Sequence, residues 1–351
     1  MILRENTIPV RVGHLIIGHS REVLIQSMTN TKTEDAVTTL KQINELSSAG
    51  VQLVRLAVQN KVALNSLNEI VINSPVPIVA DIHFDHKLAL GAIEAGVAKI
   101  RLNPGNISSR AKLKEIIEAA KKKDIAIRIG VNTGSVGETV DRFKKALFLM
   151  DEYLEYFEEC KFSNIVVSLK SSNIRSTITL NENFAKNHKY PLHLGITEAG
   201  FGQEAIIKSS IGIGSLLAKG IGNTIRVSMT GDPVQEVFAA KSILKAVGLF
   251  DSGVNIISCP TCGRTDIDVE KLAKEISIAT SDIKEKLTIA VMGCVVNGPG
   301  EAMDADYGIS GGKESGVIFA KGKIVKKVPE GHLVEELLNI IKNTETISDS
   351  V

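Results

Sequence analysis

The sequence predicts an α/β protein: a closed (β/α)8 barrel of the TIM type, followed by a small α+β domain. Eight short runs rich in β-branched residues alternate with helix-length amphipathic segments over residues 1–248. This number and this length are typical of such a barrel. Residues 249–351 follow a different pattern, with strands, two helices and a hairpin. An open doubly wound sheet is the alternative for the first part, but eight units of similar length favour closure.

The elements of the predicted barrel follow one another without a long linker. A short hairpin at residues 10–18 comes first, and we expect it to close the bottom of the barrel. Segments such as 35–50 and 109–124 have the apolar spacing of amphipathic helices and separate the strands. The predicted strands are residues 23–30, 51–58, 77–84, 99–105, 126–134, 164–172, 192–200 and 224–231.

The second predicted domain begins after a short boundary near residues 248–253. Its hairpin is expected to turn at Lys321, Gly322 and Lys323, because glycine favours the backbone conformations of tight turns. The polar end of the chain, residues 344–351, is expected to fray. The predicted elements are a strand at 254–260, a helix at 268–280, a strand at 287–294, the hairpin at 316–328 and a helix at 332–343.

The composition is that of a soluble globular protein. Charged residues make up 23% of the chain, and 41 Lys and Arg against 40 Asp and Glu leave a net charge of +1. No nucleic-acid partner is therefore expected. No apolar run reaches the roughly 18 residues of a membrane span, and the first residues lack the pattern of a signal peptide. Four cysteines do not make a disulfide framework, so we expect a cytoplasmic protein with reduced thiols.

Cationic side chains recur near the C-terminal ends of the predicted strands, where barrel enzymes carry their active sites. Side chains of a strand alternate between two faces, so residues two apart share a face. The cations are Arg55, Arg101, Arg128, Lys170 and Arg226. The polar and acidic residues near them are Asn103, Asn132, Ser228, Asp81, His83 and Glu198.

These five cations indicate an anionic substrate. Any one of them is explained equally well as a structural residue buried beside a carboxylate. Five cations on five strands, against two carboxylates, would repel one another unless an anion binds among them. Arginine binds phosphate oxygens through two hydrogen bonds, so the pattern predicts a substrate with more than one phosphate charge. Lys170 by itself leaves open a Schiff-base chemistry of the aldolase type.

A segment with several glycines, residues 209–222, has two open interpretations. It is not a dinucleotide-binding fingerprint, because the third glycine is missing and no strand directly precedes it. Gly212 and Gly214 lie either at a helix N-terminus that binds phosphate or in a helix that packs closely on its neighbours.

Three of the four cysteines lie in the second domain, with Cys259 and Cys262 in a C-x2-C pair and Cys294 further along. A zinc site would need His332 as its fourth ligand and would lack the usual ligand pair in its second half. An iron–sulfur cluster fits three thiolates better. Glu301, in the loop after Cys294, is a candidate fourth ligand, weak enough for a substrate oxygen to displace. The fourth cysteine, Cys160, is explained as an ordinary core or surface cysteine of the barrel.

Several segments together resemble bacterial 4-hydroxy-3-methylbut-2-enyl diphosphate synthases, over nearly the whole chain. They are IQSMTNTKTED, ADIHF, RLNPGN, VSLKSSN, GITEAG, NTIRVSMTGDP, SCPTCGRT and GCVVNGPGEA. The last two, which carry the three cysteines, are close to diagnostic. The resemblance implies the two-domain form of the enzyme, because no inserted domain separates the barrel from the second domain.

The resemblance also implies a reaction, the two-electron reduction and ring opening of 2-C-methyl-D-erythritol 2,4-cyclodiphosphate. The charged and polar residues at the strand ends would line the substrate site, with Lys170 as a phosphate ligand and Glu198 in acid–base catalysis. A 4Fe–4S cluster would be bound by Cys259, Cys262, Cys294 and Glu301.

The implied partners are flavodoxin or ferredoxin as electron donor and a second copy of the chain. In the head-to-tail homodimer of this family, each second domain covers the barrel of its partner, and a monomeric active species would contradict this arrangement. From the residues alone two other functions remain open. One is a sugar-phosphate aldolase or isomerase with a structural zinc, and the other is a phosphometabolite sensor that binds without turnover.

Overall fold

The computed structural model describes residues 1–103, 106–107, 109–132, 142–250, 252–294, 302–312 and 315–348. The chain divides into two compact units, Met1–Leu249 and Phe250–Val351. Within the described ranges, no helix has the length and apolar character needed to cross a membrane.

The first unit contains a ring of parallel strands, so the predicted fold class is confirmed. The strands pair in the order β8-β7-β6-β5-β4-β3-β10-β9. A parallel bridge between Val167 on β8 and Leu192, just before β9, joins the two ends of this sheet. The strands are β3 (Leu24–Met28), β4 (Leu53–Val58), β5 (Ile78–Ile82), β6 (Lys99–Leu102), β7 (Ala126–Asn132), β8 (Ile165–Lys170), β9 (His193–Leu194) and β10 (Thr224–Ile225).

A helix follows each strand of the ring. Among the helix starts that the structure describes, five have an Asp or Asn whose side chain accepts a hydrogen bond from a backbone N–H of the first turn. Such a cap contributes about 1 kcal/mol to stability. The helices are α1 (Ala36–Ser48), α2 (Lys61–Asn73), α3 (His86–Glu94), α4 (Arg110–Lys123), α5 (Arg142–Glu159), α6 (Ile174–Asn187), α7 (Gly202–Ala218) and α8 (Pro233–Ala246).

The predicted hairpin at the bottom of the barrel is present, formed by β1 (Val10–Val12) and β2 (Leu15–Ile17) in antiparallel pairing. Its apolar side chains pack on inward-facing residues near the start of the barrel strands. We call this cluster the apolar floor. Its buried members are Val10, Val12, Ile17, Leu24, Leu53, Val79, Ala126 and Val166.

The seventh and eighth strands are much shorter than predicted, so the ranges 192–200 and 224–231 were wrong as strands. The chain leaves the ladder after Leu194 and after Ile225, although Arg226 N still donates to Leu194 O at 3.0 Å. Glu198 and Gly200 have φ values of 55° and 101°, which no strand adopts. These runs are apolar because they are buried, and burial was misread as strand pairing.

The second unit is built on one mixed five-stranded sheet of order β11-β12-β13-β14-β15. Residues of α9 and α10, among them Leu272, Ile276 and Leu337, pack into the core of this unit. The elements are β11 (Val254–Ser258), α9 (Val269–Ala279), β12 (Leu287–Met292), β13 (Tyr307–Ser310), β14 (Ser315–Ala320), β15 (Lys323–Pro329) and α10 (Leu333–Ser348).

The five predicted elements of the second unit are present, and β13 was missed. This strand has four residues and pairs in parallel with β12 and antiparallel with β14. It is too short to show a period of two in the sequence. The hairpin turns where expected, since Ala320 pairs with Lys323 and both Lys321 and Gly322 have positive φ.

The glycine-containing segment 209–222 lies inside and after α7, which begins at Gly202. The phosphate-binding interpretation of this segment was therefore wrong, because no helix begins within it. A Cβ atom on Gly212 would overlap Ile196 Cδ1, whereas a Cβ on Gly214 would meet nothing within 4 Å. Gly212 therefore allows α7 to pack closely on Ile196, whereas Gly214 makes no close packing contact.

These two glycines provide a matched test of that packing. We expect Gly214→Ala to raise the free energy of unfolding by about 0.5–1 kcal/mol, because alanine is the better helix former. Gly212→Ala should lower it by about 1–2 kcal/mol, because the buried Ile196 must move out of its packed position. Urea unfolding of both variants measures the difference, and equal effects at the two positions would contradict the packing.

Candidate active site

A cavity of about 370 Å³ opens at the C-terminal ends of the barrel strands. This is the end at which barrel enzymes carry their active sites. Cationic and polar side chains from seven strands or strand ends meet there. The lining residues are Arg55, Asp81, His83, Arg101, Arg128, Gly130, Val131, Asn132, Ser168, Lys170, Thr197, Glu198, Arg226 and Ser228.

The structure brings together all of the predicted substrate-site residues except Asn103. That residue follows the end of β6 but does not line the cavity. Sequence reasoning missed four lining residues, of which Ser168 was within reach. Ser168 lies two residues before Lys170 on β8, so strand alternation places both on the inner face. The others, Gly130, Val131 and Thr197, carry no charge that would have marked them.

The pairing register places charged residues of neighbouring strands side by side. Asp81 on β5 pairs with Arg101 on β6, and Arg101 pairs in turn with Arg128 on β7. Paired residues of parallel strands project to the same side of the sheet. A single level of the barrel therefore holds one carboxylate followed by two cations on the next two strands.

Asp81 is the main buried counter-charge on this side of the cavity. Its carboxylate lies 3.3 Å from Arg101 Nη1 and 3.9 Å from Arg55 Nε, and its Oδ2 is 3.2 Å from His83 Nε2. Burial by itself would raise the pKa of Asp81. The hydrogen bond to His83 and the charges of Arg55 and Arg101 outweigh burial and lower it. Asp81 is therefore ionised at neutral pH and fixes the two guanidinium groups.

Glu236, on α8, is a third carboxylate that sequence reasoning missed. Its side chain is buried and accepts hydrogen bonds from Arg226 Nε and Nη2, both at 3.2 Å. It also accepts from Met229 N at 3.0 Å and from Ser27 Oγ at 3.1 Å. Sequence reasoning missed it because Glu236 lies on a helix, whereas barrel site residues are expected at strand ends. Arg226 thus lines the cavity and is also salt-bridged, so the two interpretations offered for each cation both apply to it.

The sulfur of Met28 lies between two of the arginines. Arg55 Nη2 is 2.8 Å from Met28 Sδ, and Arg226 Nη1 is 3.4 Å from it. A thioether is a weak acceptor without charge, so it positions these groups without neutralising them. The two guanidinium groups keep their positive charge directed at the cavity.

The site retains an excess of positive charge. Burial lowers the pKa of Arg55 to about 10 although Asp81 raises it, and the nearby Arg226 and Arg101 lower it further. Burial, and then the repulsion of neighbouring arginines, also lowers the pKa values of Arg128 and Lys170 well below their usual range. Guanidinium groups remain protonated in proteins, so the repulsion persists until an anion enters.

Glu198 stands at the rim of this cavity in an unusual backbone conformation. It is exposed and has φ of 55°, in the left-handed region that non-glycine residues seldom adopt. Such strain in a lining residue is more frequent at functional sites than elsewhere. The predicted acid–base residue is therefore at the cavity, with solvent access for a proton.

In the second unit, the cysteines lie on two loops that touch. Cys259 Sγ accepts a hydrogen bond from Gly293 N at 3.2 Å, and Cys294 follows Gly293 directly. A Cβ atom on Gly293 would meet Thr265 Cγ2 at 2.9 Å, and Thr265 Oγ1 accepts from Cys262 N. The backbone and side chain of Arg264 hydrogen-bond to the Cys262 thiol and lower its pKa.

These loops carry three thiols that could act as metal ligands, together with backbone N–H donors. Among the described residues, no three His, Cys, Asp or Glu side chains are gathered closely enough to hold a metal ion. His332 is exposed and lies beside Glu335. The predicted fourth ligand, Glu301, lies outside the described residues. Cys160 is a part-buried free cysteine just after α5.

Comparison with known proteins decides the family. The GcpE TIM-barrel domain matches residues 7–241, and the GcpE protein C-terminal domain matches residues 255–343. The chain belongs to the GcpE family. Each of the two matches lies within one of the compact units.

Members of the GcpE family with curated names are similar over almost the whole chain. The 4-hydroxy-3-methylbut-2-en-1-yl diphosphate synthase (flavodoxin) of Clostridium perfringens is 52% identical over 345 residues, covering 97% of this chain and 99% of the relative. The enzyme of the same name from Fusobacterium nucleatum is 50% identical, covering 97% of this chain and 98% of the relative. The resemblance stated from the motifs is thereby confirmed, and the aldolase alternative is not favoured.

Similar solved structures bear on the fold of the GcpE barrel alone. Dihydropteroate synthase from Xanthomonas albilineans has a TM-score of 0.53 at 10% identity, covering 69% of this chain and 98% of that chain. The enzyme from Stenotrophomonas maltophilia has a TM-score of 0.53 at 15% identity, with 68% and 98% covered. At these identities the likeness is one of architecture.

The Glu236–Arg226 pair gives a test of charge balance in this GcpE barrel. We expect Glu236→Gln to lower the free energy of unfolding by about 3–5 kcal/mol, because it leaves a buried guanidinium without its counter-charge. Chemical denaturation measures the loss. Saturating inorganic pyrophosphate should restore part of it, because the anion compensates the freed charge.

A matched control exists in the exposed pair of Glu94 and Lys123. Glu94→Gln should change the free energy of unfolding by no more than about 1 kcal/mol, since such pairs are solvated. Equal losses in the two variants would contradict the role given to Glu236.

Proposed function

We propose that the cavity of this chain is the binding site for 2-C-methyl-D-erythritol 2,4-cyclodiphosphate, which the chain reduces to 4-hydroxy-3-methylbut-2-enyl diphosphate. The observation that carries the proposal is the excess of cations in the cavity, with Asp81 and Glu236 committed to arginine pairs. A substrate with two phosphate groups supplies the missing negative charge. The names of the relatives specify a reaction whose product carries the same groups.

The reaction separates charge at the diphosphate. Two electrons enter the carbon skeleton, the bond between a ring carbon and a diphosphate oxygen breaks, and a hydroxyl group leaves as water with a proton. Negative charge then grows on the released diphosphate oxygen. Cations held in place before the reaction stabilise this charge without having to reorganise. We assign this role to Arg55, Arg101, Arg128, Lys170 and Arg226.

The uncharged lining residues orient the substrate. Asn132, Ser168 and Ser228 line the cavity and have groups that can hydrogen-bond to phosphate or hydroxyl oxygens. We assign to Glu198, at the rim, delivery of the proton to the leaving hydroxyl. His83 is held by Asp81 and faces the cavity, which suits it to bind a phosphate oxygen.

We propose a 4Fe–4S cluster in the second unit, bound by Cys259, Cys262, Cys294 and Glu301. The donors fit, since Cys259 accepts a backbone N–H bond and the Cys262 thiol has a lowered pKa, as thiolate ligands require. When bound, the cluster supplies electrons one at a time. We assign Glu301 as an exchangeable carboxylate ligand, and with Glu198 it completes the catalytic pair.

The names of the relatives support a proposal for the electron donor. The names of the relatives include flavodoxin, and we propose flavodoxin, or a ferredoxin, as the electron donor of this chain. We also propose a head-to-tail homodimer in the cytoplasm.

Replacement of Lys170 tests the reaction directly. With reduced flavodoxin under anaerobic conditions, Lys170→Met should lower kcat/KM by about 10²–10³-fold, because one cation facing the diphosphate is lost. Lys170→Arg should retain more activity, because it keeps the charge. Phosphorus NMR of substrate and product measures both. An aldolase would behave differently, since arginine cannot form an imine, and borohydride would trap wild-type Lys170 with a carbonyl substrate.

Metal content tests the cluster. The anaerobically purified chain should be brown, with about four irons and four sulfides per chain. Glu301→Ala should make the iron more labile to chelators, because one ligand is lost. Glu285→Ala, at an exposed acid of the same unit, should not. A colourless protein with one zinc and no sulfide, even after reconstitution, would contradict the cluster.

A further inference from the structure

A buried polar layer lies in the barrel between the apolar floor and the cavity. Its members Gln26, Lys99 and His193 are 1%, 0% and 0% exposed, and none of them lines the cavity. Neither the substrate assignments nor the cluster makes use of them. Lys99 is among the largest fully buried side chains of the described residues.

Strand register shows that Lys99 points into the barrel. It is two residues before Arg101 on β6, so both side chains project to the same face. Its partners across the sheet are Val79 and Ala126, which belong to the apolar floor. The side chain therefore starts at the level of the floor, one inward-facing position below Arg101.

Several polar atoms of this layer lack a partner within the described residues. They are Lys99 Nζ, both side-chain polar atoms of Gln26, and His193 Nε2. His193 Nδ1 is hydrogen-bonded to Thr224 Oγ1 at 2.8 Å. Buried polar groups without a hydrogen-bond partner lower the stability of a protein and are uncommon in native structures. A buried lysine lowers stability more than a buried glutamine or histidine, because its amine is ordinarily charged.

The charges that face Lys99 are mostly positive. Arg55 on β4, Arg101 on β6, Arg128 on β7, Lys170 on β8 and Arg226 after β10 all lie above it, at the cavity. The carboxylates on the other elements, Asp81 on β5 and Glu236 on α8, are paired with arginines. His193 on β9 lies in the same layer.

These surroundings favour the neutral form of Lys99. Burial, and then the charges of Arg128 and Arg55, lower the pKa of Lys99 well below its usual range. Burial likewise lowers the pKa of His193, followed by the charge of Lys170. Burial and the neighbouring cations thus favour uncharged forms of both residues before an anion enters the cavity.

We propose that Lys99 is a positioning residue that takes up a proton when the anionic substrate enters the cavity. The charge it gains lies beneath Arg128 and strengthens the field that holds the diphosphate. This inference rests on the proposed function, since it requires a diphosphate in this cavity. The balance is one proton from solvent added to one amine, with no other bond made or broken.

The sign of the pH dependence follows from linkage. If binding takes up a proton, affinity falls as pH rises, because protons become scarcer. The cyclic substrate suits the measurement, because it lacks the second phosphate ionisation that monoesters have near pH 6. Any proton taken up on binding near neutral pH therefore binds to the protein and not to the substrate.

The test is titration calorimetry of the full cluster-containing chain, oxidised and anaerobic, with 2-C-methyl-D-erythritol 2,4-cyclodiphosphate. Buffers of different ionisation enthalpy give the number of protons taken up. We expect at least one per chain for the wild type at pH ~8, with at least about a tenfold loss of affinity per pH unit, since Lys170 has a lowered pKa as well. Lys99→Met should lower the count by about one and make the pH dependence correspondingly shallower. Gln26→Met, in the same layer but without a titratable group, should keep the wild-type count.

Other outcomes separate the two proposals. An equal proton count in wild type and Lys99→Met would overturn this inference alone. So would a wild type whose binding takes up no proton, a result that needs no variant to fold. Failure of the wild type to bind the cyclic diphosphate at all would overturn the proposed function, and this inference with it.

Discussion

Repulsion among like charges inside the barrel is the constraint on which the site depends. Four arginines and one lysine converge on one cavity. The low dielectric constant of the barrel interior strengthens the repulsion between them. Two buried carboxylates make this arrangement tolerable. Asp81 holds Arg55 and Arg101, and Glu236 holds Arg226 through two hydrogen bonds. The repulsion that is left favours the binding of an anion, in agreement with the diphosphate substrate proposed for this cavity.

The fold supports this concentration of charge from below and from the side. The hairpin of β1 and β2 packs on the apolar floor at the bottom of the barrel, and the cations line the cavity at the opposite end. The early end of β9 and β10 serves the same purpose. Because the chain leaves the ladder after Ile225, Met229 N bonds to Glu236 instead of to a strand. The irregular strands and the buried helix acid are therefore one feature, in which regular pairing gives way to charge compensation.

The division of labour between the two units follows from the chemistry each can hold. The barrel provides many fixed cations on rigid strands, which suits it to bind and neutralise a diphosphate. The second unit provides thiols on loops with backbone N–H donors, which suits it to carry a redox group. In the barrel, Lys99 lies fully buried below the cavity, and we propose that it contributes to the electrostatics of the site. A lysine buried without a partner lowers stability, and the proposed proton uptake gives a reason for its presence.

The sequence by itself determined the architecture and most of the site. Eight alternating units predicted the barrel, and charged residues at the strand ends predicted the cavity, because strand ends meet at one rim whatever the details of packing. The C-x2-C pair with Cys294 marked the second unit, and the motifs predicted the family.

Tertiary structure alone decided the features that depend on contacts between different elements. Glu236 on α8 forms an ion pair with Arg226, which follows β10. Asn103 does not line the cavity, although it follows a barrel strand. Gly212 lies where a larger residue would collide with Ile196. The sequence alone does not distinguish Lys99 from a surface lysine. Its burial depends on strand register, which is set by the whole ring of strands and not by β6 alone.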